Sequence, residues 1–182
     1  MWPFFRSRDE SARTFPVLLM AGMAMALTFA PGAAAQELPL GPPASALDAE
    51  TPEEAAVLAV VDRLFDGMRA RDGAMVASVF HPEARLISTG SDELGRPTIA
   101  VREIQTFVDA VGQGGAPWNE PYFQPVVEID GNLAHVWIFY HFYAGDTFSH
   151  CGYDSIQLVR MPELGWRMIS LADTRRTEGC GR

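Results

Sequence analysis

Residues 133–143, LAHVWIFYHFY, alternate without a turn residue, and both sets that the alternation separates are largely apolar. Leu133, His135, Trp137, Phe139, His141 and Tyr143 form one set; Ala134, Val136, Ile138, Tyr140 and Phe142 form the other. Successive side chains on a strand point to opposite faces, so a strand built from this run needs cover on both sides. Helices can supply one cover. A second copy of the chain is the expected source of the other, which makes the protein a homodimer; a leader or C-terminal tail folded back is the alternative.

The elements before the run have helical period. Thr51 is placed to cap a helix, with Pro52 at its first position and Glu54 completing a capping box. Val57, Val60, Val61, Leu64, Phe65 and Met68 then make one stripe. Asp72 can start a short helix carrying Met75, Val76, Val79 and Phe80, which His81-Pro82 should stop. Residues 85–89 and 96–100 read as short strands around a turn, and Ile104, Phe107, Val108 and Val111 mark a third helix ending at Gly112. Beyond 112–117 the period becomes 2, with strands expected over 122–129, 133–143, 148–161 and 166–175 and turns at 130–132 and 162–165. The fold class is therefore α+β, a curved antiparallel sheet with N-terminal helices packed on one face.

The N-terminus reads as a secretory signal. Arg6, Arg8 and Arg13 precede an uncharged run over 15–30 that ends in Ala33-Ala34-Ala35, an A-x-A cleavage site before Gln36. That run falls short of the roughly 20 residues that span a bilayer, so cleavage at 1–35 is expected rather than an uncleaved anchor, with no stable membrane insertion afterwards and a periplasmic or secreted destination. Residues 36–50, Pro-rich and without apolar period, read as a flexible leader; the domain is taken as 51–182. Removing 1–35 takes away three Arg and two acids, leaving 11 basic and 21 acidic residues. Such an acidic chain is a poor partner for nucleic acid. All 14 basic residues are Arg, which excludes Schiff-base and phosphate-loop lysines.

The order helix, short helix with Phe80-His81-Pro82, strand pair, helix and four long strands resembles the nuclear transport factor 2-like cone. The stretches 77–84 (ASVFHPEA), 149–159 (SHCGYDSIQLV) and 165–176 (GWRMISLADTRR) are most similar to its exported, lumazine-binding-like branch, and the resemblance covers about residues 52–180. It implies a pocketed, often dimeric cone. Members of that superfamily include isomerases, dehydratases, cyclases and proteins without known activity, so fold alone does not assign chemistry.

Candidate chemistry comes from the last two strands. A four-residue loop at 162–165 puts Met161 opposite Trp166 and Asp154 opposite Asp173, above a floor of Ile156, Leu158, Ile169 and Leu171, with Arg175 at the open end. Paired carboxylates against an apolar floor have pKa values pushed apart, leaving one to give a proton and one to take it; the bland alternative is a solvated salt bridge with Arg175. His141 is a third candidate proton carrier, Arg175 a holder of an anionic or carbonyl oxygen, and Trp118 and Tyr122 a lid. Tyr140 and Tyr143 are further aromatic candidates. His81 reads as a helix-ending residue bonded to backbone.

His135 and His141 lie about 20 Å apart along a strand, and no H-x-H, H-E-x-x-H or C-x-x-C spacing occurs, so neither metal nor other cofactor is expected. Two cysteines in an exported chain predict a Cys151–Cys180 disulfide, since Cys151 faces position 176 and Gly179 and Gly181 let the tail curl back. His150 and Cys151, as sequence neighbours, point to opposite faces. Two functions fit: an exported protein holding a small apolar or aromatic molecule in the cone, or a cofactor-free acid-base enzyme, an isomerase, dehydratase or cyclase. A cone filled by its own side chains would leave only a structural dimer.

Overall fold

The computed structural model describes residues 41–181; the expected signal peptide and the first residues of the leader lie outside them. Helix α1 spans Pro52–Ala70. Thr51 Oγ1 accepts from the Glu54 amide at 3.2 Å while the Glu54 carboxylate accepts from the Thr51 amide at 3.0 Å, so two donors without helical partners are satisfied reciprocally. Its buried stripe is Val57, Leu58, Val61, Leu64, Phe65 and Met68. Asp72 caps α2, Gly73–Ala77, by accepting from the Met75 amide.

That second helix is shorter than its apolar spacing suggests. Phe80-His81-Pro82 does not terminate it but opens strand β1, Phe80–Ser91, because the Val79 carbonyl accepts from the Met168 amide and draws the chain into the sheet. His81 is nonetheless bonded to backbone, its Nδ1 accepting from the Glu83 amide at 3.2 Å.

The remaining elements are β2 (Pro97–Glu103), α3 (Ile104–Gly112), β3 (Trp118–Asn119), β4 (Tyr122–Asp130), β5 (Leu133–Ala144), β6 (Thr147–Met161) and β7 (Gly165–Thr174). The sheet runs β2-β1-β7-β6-β5-β3, with β4 also pairing β5. All pairs are antiparallel except β1 with β7, so the α+β class holds with one parallel pair in a mixed, curved sheet. The even residues of β5 join α1 and α3 in the core, as two-faced alternation requires. No helix among the described residues is long and apolar enough to cross a membrane.

The β6–β7 hairpin reaches the expected acid pair by an unexpected route. Its tip is one residue shorter than expected, with Met161 opposite Gly165, and a bulge between Gln157 and Leu158 adds an unpaired residue, Ile169, on β7. The two offsets cancel, and Asp154 lies opposite Asp173. In consequence Met168, not Ile169, is the fully buried residue of the floor.

In the described part of the leader, Ala44 N–H donates to the Tyr122 carbonyl at 2.8 Å and Ala46 N–H to Asp62 Oδ2 at 2.9 Å. The C-terminal tail folds back over the outer face of the sheet and is locked there by the Cys151–Cys180 disulfide, as the cysteine count predicts. Phe123, Phe139 and both cysteines make a small second core beneath it, with the Arg176 guanidinium 5.5 Å from the Phe139 ring centre. The tail stops short of Leu133, Trp137 and Val126, which remain 51%, 40% and 53% exposed.

Candidate functional site

Between the helices and the inner face of the sheet lies a cavity of about 490 Å³. Leu64, Phe65 and Met68 of α1 and Phe107 and Ala110 of α3 form one wall; Tyr140, Phe142 and Leu171 form the other. Strand pairing then concentrates charge against one part of this apolar lining. Ile138 opposite Asp154, and Asp154 opposite Asp173, put both acids on the inner face, and Glu120, between β3 and β4, completes the group. Their exposures are 8% for Glu120, 1% for Asp154 and 6% for Asp173.

Arg175 donates to Asp173 Oδ2 through Nε at 2.8 Å and through Nη2 at 2.6 Å. Both donors converge on one oxygen, so the buried Asp173 Oδ1 is left without a partner, as is Asp154 Oδ2. Burial, followed by the charge of Asp173, pushes the Asp154 carboxyl up to about 8, and Arg175 and a hydrogen bond to Glu120 oppose the rise. Burial also holds Glu120 well above the usual carboxylate range, with the charges of Asp154 and Asp173 adding to the effect. The group is electrically balanced when Glu120 and Asp154 keep their protons and Asp173 is paired with Arg175.

Neighbouring groups are fixed by the same packing. The Tyr140 hydroxyl donates to the Thr174 carbonyl at 2.8 Å, and burial, then Asp154, pushes its pKa up, so it stays a phenol. Gly152 makes this approach feasible, since a Cβ there would run into the Thr174 carbonyl. His150 stacks on Phe142 at 4.9 Å; burial, then Arg175, holds its imidazole below the ordinary value. At the mouth, Arg71 donates through Nη2 to the carbonyls of Ala110 and Gly114 at 2.9 and 2.5 Å and lies 4.1 Å above the Trp118 ring. Trp118 is therefore clamped as a wall.

Of the residues singled out in the sequence, Asp154, Asp173, Arg175, Trp118 and Tyr140 meet at this cavity. His141 and Tyr122 do not. His141 belongs to the odd set of β5, on the outer face, where its Nε2 lies 2.8 Å from the Cys180 carbonyl beneath the tail. The Tyr122 hydroxyl donates to Asp62 Oδ1 at 2.8 Å and lines a second cavity beside Pro43, Ala44 and Ser45. Tyr143 packs against Phe148 at 5.5 Å, away from the cavity.

His150 lines the cavity because it faces opposite to Cys151. Glu120 was not legible. It sits in the aperiodic Asn119-Glu120-Pro121, and the one local signal is that Pro121 favours extended backbone at the residue before it.

The chain matches the family described as "Putative lumazine-binding" over residues 52–170. Among solved structures it is similar to a nuclear transport factor 2-like protein of unknown function from Shewanella baltica, at 18% identity over 71% of this chain and 98% of that one, TM-score 0.56. A superfamily protein from Salmonella enterica serovar Typhimurium shares 16% identity over 72% and 96%, TM-score 0.56. A protein from Streptomyces avermitilis described as a "putative dehydratase" of the same superfamily shares 13% over 69% and 99%, TM-score 0.54. At such identities the likeness is one of fold. No curated protein matches the chain.

Proposed function

This chain belongs to the lumazine-binding-like branch of the nuclear transport factor 2-like superfamily, and from that premise we propose that it is an exported protein holding a small apolar or aromatic molecule in its cone. The observation that carries the reading is the cavity itself: about 490 Å³, walled by Leu64, Phe65, Met68, Phe107 and Phe142, with Glu120, Asp154, Asp173, Arg175 and Arg102 among its polar lining. That size and that distribution of polarity suit the burial of a small organic ligand. The Cys151–Cys180 disulfide fits an oxidising compartment, and the exposed Leu133, Trp137 and Val126 are the surface on which a second copy would pack.

Acid-base catalysis in the same cavity is the second reading, favoured by the position of Asp154. A carboxyl that titrates at about 8 can give and recover a proton near neutral pH, and a neutral His150 beside it is a base. The dehydratase description of the Streptomyces avermitilis protein points the same way. In this reading Asp154 moves the proton, Glu120 shares it and Arg175 holds the developing charge.

Native mass spectrometry of protein taken from its own cell envelope tests both readings. A chain starting at Gln36 with a bound small molecule is expected, and that molecule should be lost from Ala110→Trp, which fills the cavity. A ligand-free chain, or one whose ligand survives Ala110→Trp, overturns the binding reading. Incubating the recovered molecule with protein in deuterated water separates the two: catalysis places deuterium on carbon or changes the mass, and Asp154→Asn abolishes it, whereas a binder leaves the molecule unaltered.

A further inference from the structure

Resting on the cavity as a ligand site, we propose that its occupant carries an organic ammonium group on an apolar or aromatic body, with the ammonium seated against Asp154 and Asp173. The first argument is a census of hydrogen-bond partners. Arg175 is committed through Nε and Nη2 to Asp173 Oδ2 and the Ser88 hydroxyl, Tyr140 to the Thr174 carbonyl, and Glu120 to Asp154. His150 Nδ1 is engaged with the Ser149 hydroxyl at 3.0 Å. Asp173 Oδ1, on a residue 6% exposed that lines the cavity beside Asp154, remains without a partner. Buried acceptors left unpaired are costly, and a ligand bringing N–H donors removes that cost.

The second argument is where the charges sit. Glu120, Asp154 and Asp173 are all nearly enclosed, whereas the balancing Arg175 side chain is 49% exposed and already paired. The enclosed charged groups of the cavity are therefore acids, while its two lining cations, the half-exposed Arg175 and the exposed Arg102, lie toward solvent. An anionic ligand head would meet the enclosed Asp173 carboxylate, whereas an ammonium meets its free Oδ1. The rings of Trp118, Phe107, Phe142 and Tyr140 surround the remaining space, and ring faces attract a cation further. Among the described residues no cluster of His, Cys, Asp and Glu has the arrangement of a metal site.

The groups facing Asp154 are Glu120 from the β3–β4 link, Asp173 and Arg175 at the end of β7, Tyr140 from β5 and His150 on β6. A cation arriving among them favours the ionised form of Asp154, so binding at pH 7 releases a proton. Affinity for a permanently protonated amine then rises as the pH approaches 8, the value to which Asp154 is pushed.

The test is calorimetric titration of the full mature chain at pH 7 with 2-phenylethylammonium, 2-phenylethanol and 3-phenylpropanoate, in two buffers of different protonation enthalpy. The ammonium should bind at least tenfold more tightly than the other two and release about one proton. It should weaken roughly tenfold to hundredfold in Asp154→Asn and be lost in Ala110→Trp, with Thr106→Trp as a second filling of the same mouth. Equal or tighter binding of the alcohol or the carboxylate, abolished by the filled mouth, overturns the ammonium class and leaves the cavity as a ligand site. Ammonium binding without proton release and unchanged in Asp154→Asn also overturns it. No binding by any probe, or binding that survives both filling variants, overturns the ligand site as well.

Discussion

Replacing Asp154 by Asn should make the folded chain more stable at neutral pH and flatten its response to pH. In the folded state burial and the Asp173 charge push this carboxyl from 3.8 to about 8. The unfolded chain gives up the proton near pH 4, the folded chain only near pH 8. Between those values the folded state binds more protons, so the stability that belongs to this group is full below about pH 4 and falls as the pH rises toward 8. Each unit of pH is worth about 1.4 kcal/mol for one proton, which puts the loss accumulated by pH 7 on the order of 4 kcal/mol. Asn is neutral in both states and escapes it. The hydrogen bond with Glu120 changes character at a cost of about 1 kcal/mol, leaving a net gain of roughly 3 kcal/mol at pH 7. Urea denaturation of wild type and Asp154→Asn at pH 5, 6, 7 and 8 measures the difference, which should widen with each step. Glu120 tilts both proteins in the same direction, less steeply in the variant because the Asp154 charge that adds to its rise is gone, and this reinforces the widening. A difference that is constant across the series, or that narrows toward pH 8, would refute the account of a buried, proton-retaining Asp154.

Other perturbations probe the frame around that group. Reducing the Cys151–Cys180 bond, which closes a loop with a sequence separation of 29, should lower stability by about 3–4 kcal/mol in the chain-entropy view; an unchanged urea midpoint with reductant present would contradict it. Gly152→Ala drives a Cβ into the Thr174 carbonyl and should destabilise by about 2 kcal/mol or more, read as a fall of several degrees in Tm, whereas Gly41→Ala meets nothing within 4 Å and should leave Tm unchanged. Trp137→Asp should turn a dimer into a monomer in light scattering with secondary structure retained, and a wild type already monomeric at tens of micromolar would remove the second copy from the picture.

Short-range chemistry was the most legible part of this chain. The capping box at Thr51 and the Asp72 cap are written within three residues each, and the disulfide follows from a count of two cysteines with Gly179 and Gly181 nearby. What sequence could not supply was register wherever a bulge intervenes. Counting back from the Gly145-Asp146 turn in an unbroken ladder pairs Asp154 with Trp137, on the same face as His141. The irregularity between Phe142 and Tyr143 adds a residue on β6 and moves the pairing to Ile138, on the opposite face. His141 was thus excluded from the acid cluster by one residue of offset that has no local signature. Glu120 is placed by the two-residue β3 and the longer β4 pairing with different parts of β5, a long-range arrangement that no window of the sequence contains.

The unpaired residue at Ile169 makes the last hairpin a slip joint. Twelve residues separate Gln157 from Ser170 whether the tip takes three of them with one unpaired in the strand, as here, or four with none. Sliding between the two forms leaves Asp154 beside Asp173, but exchanges Trp166 and Met168 in the core for Arg167 and Ile169. The side chains at the tip end of the hairpin therefore choose the form, and the acid pair is indifferent to the choice. Substitutions that remodel the closed end of the cone can accumulate there without retuning the polar wall, so the scaffold and the chemistry of this hairpin are free to change separately.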